Sequence, residues 1–451
     1  MSEPGSEQVA ELRGWGRTAP SSGRTVTATA AEVPALVRSA GPRGIVARGL
    51  GRSYGDVAQN AGGVVLLPLP TDIGEVGADG TVRVSAGTSL HDLMVALVPR
   101  GRFVPVTPGT RYVTVGGAIA CDVHGKSHHV AGSFGDHVVD LDLVLAGGET
   151  RTVGPDRDPD LFWATVGGLG LTGVVTAATL RTIPVETSYA TVTTQRLADL
   201  DAVMTEMREG DQRFTYSVAW IDTLARGAAL GRSVLSRGEH ATRDQLTGRA
   251  AAHPLVAPAG PRVAVPFTPP ANLVVPLGVR AFNEAWFRRA PRHRTGEIQS
   301  LGAFFHPLDG IAGWNRAYGP HGVVQYQLVV PDGEEAALVR VLERIAGERL
   351  SSFLAVLKRF GPGNAGLLSF PTAGWTLAYD VPATPALAPL FQELDETVVA
   401  AGGRVYLAKD SRLHPRLLPQ MYPRLPEFRA VRERVDPDRV FRSDLARRLE
   451  I

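Results

Sequence analysis

The sequence predicts an α+β protein of two domains, a strand-rich region followed by one in which helices lie against an antiparallel sheet. Three observations carry this. The chain has 451 residues, more than one ordinary core accommodates. From Gly44 to about Pro184 it reads as short β-branched runs broken by glycine: GIVARG, GGVVLLPL, TVRVSAG, DLDLVLAGGE and TGVVTAATL. From about Glu186 to Gly403 strands alternate with amphipathic helices instead.

In the strand-rich region a helix is expected after Gly87. Thr88 or Ser89 can cap it, and Leu90, Leu93, Met94 and Leu97 recur at helical spacing to cover a sheet face. In the second region GVVQYQLVVP and WTLAYDVP read as strands. Each leads to a helix, one with Ala337, Leu338, Val341, Leu342 and Ile345 on a face, the other with Leu387, Leu390, Phe391, Leu394 and Val398. Within the second region, HPLVAPAGPRVAVPFTPPANLVVPLG (253–278) carries seven prolines among many Val and Leu, a spacing that forbids a regular helix or central strand. It reads as a surface loop or as an apolar flap over a lipid-like ligand.

Charge is balanced at a formal +2 and mixed along the chain, without the basic stripe of a nucleic-acid binder. Cys121 is the only cysteine, which excludes an intramolecular disulfide and any multi-cysteine metal centre. His124, His128, His129 and His137 invite a metal reading, but no carboxylate or cysteine joins them at ligand spacing, and adjacent His128 and His129 would point apart in a strand; no metal is expected. No apolar export signal follows Met1 and no run of about 18 apolar residues occurs, so neither a signal peptide nor a membrane span is expected.

Three glycine motifs carry chemistry. In ARGLGRSYGD (47–56), Gly49, Gly51 and Gly55 permit successive N–H groups to face one anion, with Arg48 and Arg52 adding charge; alone, the loop reads equally as a structural turn. It lacks the spacing and the following helix of a Rossmann fingerprint. In PGTRYVTVGGAIACDVHGKSHH (108–129), Gly116 and Gly117 precede small residues, a surface a flat ring can approach, and a helix start there would offer free N–H donors. The third cluster, LFWATVGGLGLTGVVTAATL (161–180), leads into a β-branched strand.

With GWGRTAP, AGSFGDH, FHPLDG, WNRAYGP, QYQ, FGPGN, AKDSR, MYPR and the tail VDPDRVFRSDLARRLE, these motifs resemble the vanillyl-alcohol-oxidase (PCMH-type) FAD-binding superfamily over nearly the whole chain. Within it the chain is similar to the flavin subunits that oxidise decaprenylphosphoryl-β-D-ribose. The resemblance implies an FAD-binding domain over 1–185, a substrate-binding domain over 186–403, and a segment 404–451 that returns to the FAD domain. It implies cofactor contacts from Ala47, Arg48, Gly49, Leu50, Gly51, Arg52, Ser53, Tyr54, Gly55, Asp56 and Val57, from Gly109, Thr114, Val115, Gly116 and Gly117, from His124, Gly125, Lys126 and Ser127, and from Val175 and Tyr406. It implies substrate contacts from Lys126, Trp220, Phe305, Gln325, Gln327, Lys358, Ala378 and Lys409. Arg52 stands where many relatives carry a histidine bonded to the flavin, which implies non-covalent FAD. Ala378 stands where familiar members carry the cysteine that suicide nitro-aromatic inhibitors attach to. Ser127 and Phe305 replace an asparagine and a tyrosine.

Oxidising an alcohol with a flavin removes a hydride and a proton, so a polar group must contact the reacting oxygen. His124, Lys409 and Tyr54 are the catalytic candidates, and His124 has an ordinary pKa suited to accepting the proton. Lys409, amid apolar VYLA, is expected to be partly buried and to polarise the sugar oxygen or stabilise reduced flavin. Gln325 and Gln327, at period two, share a strand face opposite Tyr326, and Lys358 adds charge toward a phosphate.

The activity implied is oxidation of the 2′-hydroxyl of a polyprenyl-phosphoryl ribose to the 2′-keto sugar, half of an epimerisation that supplies cell-wall arabinan precursor and that a separate NAD-dependent short-chain reductase completes. Two other readings stay open: an aldose, alditol or lactone oxidase on the same scaffold, and a flavin-free binding or scaffold protein. The expected location is the cytoplasm or the periphery of the inner membrane, on either side.

Overall fold

The β-branched runs between Gly44 and Pro184 pair into two sheets. In the computed structural model, which describes residues 7–451, Glu7–Leu12, Ser21–Val26, Val64–Leu66 and Ile45–Ala47 form a four-stranded sheet in that order, its last three strands parallel. A five-stranded antiparallel sheet follows in the order Ile73–Val76, Thr81–Ser85, Val174–Arg181, Val138–Val144 and Thr150–Val153. The helix expected after Gly87 is Leu90–Leu97. Ser89 caps it, its side chain accepting from the Asp92 N–H, and Leu90, Leu93, Met94 and Leu97 are all buried.

The region after Glu186 contributes an eight-stranded antiparallel sheet in the order His293–Ser300, Tyr189–Leu197, Ser233–His240, Tyr216–Ile221, Ala355–Phe360, Gly374–Pro382, Val323–Pro331 and Arg404–Val405. Helices Glu335–Gly347 and Leu387–Ala400 bury the predicted apolar faces and pack on its Val323–Pro331 strand. The mixed α+β class is the one expected. Helices Leu200–Gly210 and Leu425–Val435 have no counterpart among the expected elements.

The proline-rich stretch departs from a plain loop. Val263–Ala264 pairs with Ile311–Ala312, and helix Pro276–Arg289 begins inside it, because Pro276 occupies the first helical position where no N–H is needed.

The C-terminal tail lies against the first sheet. The Ile45 N–H donates to Val440 O at 2.8 Å, the Arg442 N–H donates to Ile45 O at 3.0 Å, and Phe441 is wholly buried beside Val26, Val37 and Val64. Burying such a side chain contributes ~1.5–3 kcal/mol. The expected absence of a leader rests partly on residues 1–6, which lie outside the described residues. No helix among the described residues is long and apolar enough to cross a membrane.

Candidate functional site

Between the glycine loops and the eight-stranded sheet lies one cavity of about 900 Å³, near the top of the ~300–1,000 Å³ range of small-molecule sites. Its wall includes 47–55 and Val57, Gly109, Thr114, Gly116, Gly117, residues 124–126, Val175 and Tyr406 from the expected cofactor set. From the expected substrate set it includes Trp220, Phe305, Gln325, Gln327, Lys358, Ala378 and Lys409. Three expected contacts are elsewhere. Asp56 is turned away into an ion pair with Arg448 at 2.9 Å, Val115 is core, and the Ser127 hydroxyl is buried against Pro105 O.

The first glycine loop is a ready anion cradle. The N–H groups of Gly49, Leu50, Gly51, Arg52 and Ser53 have no hydrogen-bond acceptor among the described residues, while the Ser53 and Tyr54 carbonyls are taken by the N–H groups of Trp15 and Gly16. Gly51 turns the chain at φ +64°, a conformation that penalises a Cβ. Both arginines line the cavity and are held by the protein itself. Arg48 donates to the carbonyls of Ala58 and Arg13, stapling the loop, and Arg52 lies over the Trp15 ring with its guanidinium carbon 4.0 Å from the centroid.

The second motif forms helix Val115–Ala120, but its start offers no free donor. The N–H groups of Val115 and Gly116 go to Thr88 O and Ala86 O, and that of Gly117 goes to the Thr114 hydroxyl. What it presents to the cavity is a wall of small residues, Gly116, Gly117 and Ala120. The adjacent histidines are helical too, in His128–Ala131. His129 Nε2 contacts the Phe214 carbonyl at 2.8 Å and His137 Nε2 the Ala131 carbonyl at 2.8 Å.

At the other end the strands Val323–Pro331, Gly374–Pro382 and Ala355–Phe360 bring Gln325, Gln327, Ala378 and Lys358 to the cavity, and Tyr326 points the other way to Asp395. His124 sits at their junction, with Gln327 Nε2 2.9 Å from its Nε2 and Lys358 Nζ 3.2 Å from its Nδ1. Thr376 spends its own proton on Leu328 O and can only accept from the Gln327 amide. That orients the amide nitrogen toward His124, whose Nε2 accepts; the ring proton then sits on Nδ1, where the uncharged amine of Lys358 accepts it. Burial and the nearby Lys358 push the His124 pKa well below its ordinary value. Both ring nitrogens have a neighbour, and the lowered proton affinity makes the imidazole a weaker base than its residue type alone suggests.

Three lysines, Lys126, Lys358 and Lys409, converge here, and burial lowers their pKa values to about 7, about 7 and about 8. None has a carboxylate partner within salt-bridge distance among the described residues. Lys126 donates to the Phe304 carbonyl, and Lys409 lies over the Tyr54 ring, 4.6 Å from its centroid. Trp220 gives its indole N–H to Phe353 O at 3.1 Å and leaves only apolar surface to the cavity.

Sequence reasoning missed Asp380. It lies directly behind the wall, wholly buried, opposite Gln325 in register and two residues beyond Ala378. Burial pushes its pKa up to about 7. An acid inside the apolar run WTLAYDVP was the available signal.

Five free backbone donors beside a wall of small residues suit a pyrophosphate joined to a flat ring system, the parts of a flavin dinucleotide. The comparisons agree with this donor set. The FAD binding domain family matches residues 24–154, and the chain is an FAD-dependent oxidoreductase. The D-arabinono-1,4-lactone oxidase family matches residues 377–449. A decaprenylphosphoryl-β-D-ribose oxidase of Mycolicibacterium smegmatis is 45% identical, over 98% of this chain and 97% of its own length. An uncharacterized Streptomyces coelicolor protein is 45% identical over 80% of this chain and 99% of its own. A D-arabinono-1,4-lactone oxidase of Yarrowia lipolytica is 33% identical over 30% of this chain and 24% of its own. The chain belongs to the decaprenylphosphoryl-β-D-ribose oxidase family.

Proposed function

We propose that this chain holds FAD non-covalently and oxidises the 2′-hydroxyl of decaprenylphosphoryl-β-D-ribose to the 2′-keto sugar, which a separate NAD-dependent short-chain reductase converts to the arabinose epimer. The observation that carries this is the trio Lys126, Lys358 and Lys409, half-buried in the cavity wall without a carboxylate partner within salt-bridge distance among the described residues. Ammonium groups withdrawn from water without a counter-charge are costly, and a phosphate entering among them favours their charged form and completes the site.

In this reading residues 1–185 hold the cofactor, 186–403 hold the substrate, and 404–451 return Tyr406 and Lys409 to the junction. The N–H groups of 49–53 bind the pyrophosphate, and Gly116 and Gly117 leave room for the ring. FAD, when bound, takes up the two electrons of the alcohol C–H bond. Lys126 and Lys358 receive the phosphate, Gln325 and Gln327 orient the ribose, and Trp220 and Phe305 exclude water. Tyr54 accepts the hydroxyl proton at its phenol oxygen and passes its own to Asp380, with the Lys409 ammonium holding developing negative charge. His124 positions Lys358 and Gln327.

Anaerobic mixing with farnesylphosphoryl ribose tests this. The flavin's visible absorbance bleaches rapidly, whereas free ribose and D-arabinono-1,4-lactone leave it unchanged. The match over 377–449 favours lactone oxidation as the second reading, and bleaching by the free lactone with none by the prenyl-phosphoryl sugar decides for it.

A further inference from the structure

Nine of the thirteen large hydrophobic residues exposed among the described residues fall between 256 and 311. Phe267 is 68% exposed, Leu273 63% and Leu277 80%, and Phe282 and Trp286 stack on each other at 17° between ring planes. Helix Pro276–Arg289 buries only Val279 and Asn283 against the body, so most of its circumference is left to solvent. A protein does not ordinarily leave so much contiguous apolar surface uncovered.

The same stretch is strongly basic. Residues 253–294 hold six arginines, at 262, 280, 288, 289, 292 and 294, against one carboxylate, Glu284, although the whole chain carries only +2. All six arginines are exposed, and Glu284 is already paired with Arg232 at 2.7 Å and Arg288 at 2.5 Å. Aromatic and aliphatic side chains interleaved with arginine on a surface helix match the chemistry of an anionic bilayer interface, with rings at headgroup depth and guanidinium groups on phosphates. The patch is also continuous with the cavity, since Phe282, Trp286, Arg289 and Arg294 line its wall.

We propose that helix Pro276–Arg289 and the proline-rich segment before it dock on an anionic phospholipid surface and set the cavity mouth at headgroup level. A polyprenyl-phosphoryl substrate then reaches the three lysines along Phe282 and Trp286 while its tail stays in lipid. The last step rests on the function proposed above; the docking itself does not.

The test is co-sedimentation of the FAD-loaded protein with phosphatidylcholine vesicles, with and without phosphatidylglycerol. Wild type binds the anionic vesicles, and binding weakens with salt. Leu273→Glu with Leu277→Glu, and separately Arg280→Glu with Arg292→Glu, each lowers binding about tenfold or more. None of these four residues lines the cavity, so flavin reduction by farnesylphosphoryl ribose stays at the wild-type rate in both variants. Wild type that remains in the supernatant overturns docking, as does an apolar variant that binds undiminished. Dimerisation abolished by the same substitutions, without vesicle binding, assigns the face to a second copy of the chain. Vesicle binding with no flavin reduction sinks the substrate reading and leaves the docking intact.

Discussion

The Tyr54 hydroxyl, carried by the first glycine loop, donates to Asp380 Oδ2 at 3.1 Å, and the Gln325 amide holds Oδ1 of the same carboxylate at 2.6 Å. A residue of the first glycine loop is thereby coupled to a buried acid of the eight-stranded sheet. Because Tyr54 gives its proton to Asp380, its oxygen acts as an acceptor, and the Gln325 amide donates to it at 3.2 Å. Asp380→Asn removes the terminal proton acceptor while keeping a group of the same shape. Flavin reduction in the variant slows on the order of 10²-fold, the scale of one general base. Anaerobic stopped-flow mixing measures it, on protein whose FAD content and visible spectrum match wild type; an unchanged rate removes Asp380 from the proton path.

The pH dependence follows from the same pair. Burial raises the Asp380 carboxyl to about 7 and lowers Lys409 to about 8, so the base appears as pH rises through the first value and the ammonium disappears through the second. The reduction rate is bell-shaped, with limbs belonging to the coupled pair, and the rising limb vanishes in Asp380→Asn. Stability has a definite sign as well. Between the ordinary carboxyl value of 3.8 and about 7 the native group is protonated where the unfolded one is ionised, so its stabilising contribution is lost as pH rises through that window. Asparagine does not titrate. The Tm of the variant relative to wild type therefore climbs from pH ~5 to ~8 in calorimetry, and a flat difference contradicts the raised carboxyl.

His124 behaves differently. Its neutral ring holds Lys358 and Gln327, so His124→Gln disturbs the phosphate and ribose contacts more than the proton transfer. The apparent KM for farnesylphosphoryl ribose rises ~10-fold, kcat changes less, and both limbs of the pH profile persist. Loss of the rising limb would show instead that the imidazole is the base.

Legibility in the sequence followed periodicity. The helices Leu90–Leu97, Glu335–Gly347 and Leu387–Ala400 and the shared face of Gln325 and Gln327 are encoded in residue spacing. What escaped depends on contacts between distant segments. The proton affinity of His124 is lowered by burial and then by Lys358, 234 residues away, and Asp380 acquires its place only when Tyr54, 326 residues earlier, meets it. The free donors at 49–53 and the satisfied ones at 115–117 look alike as glycine motifs. They differ because Ala86 and Thr88 supply carbonyls to the second and nothing described supplies the first.

Arg448 links three segments that no local pattern connects. Its guanidinium reaches Asp56 and Asp410, each at 2.9 Å, joining the tail to the first glycine loop and to the residue that follows Lys409. Both carboxylates are buried, at 8% and 6% exposure, so deleting the cation strands two negative charges at once. Breaking a buried pair by removing one partner costs ~3–5 kcal/mol. Arg448→Met therefore lowers Tm by several degrees and releases FAD on gel filtration, whereas Arg344→Met, which removes exposed surface pairs with Glu348 and Glu393, does neither. An unchanged Tm in Arg448→Met, whose side chain still fills the space of the stem, would mean that Arg448 acts by packing that stem and not through its charge.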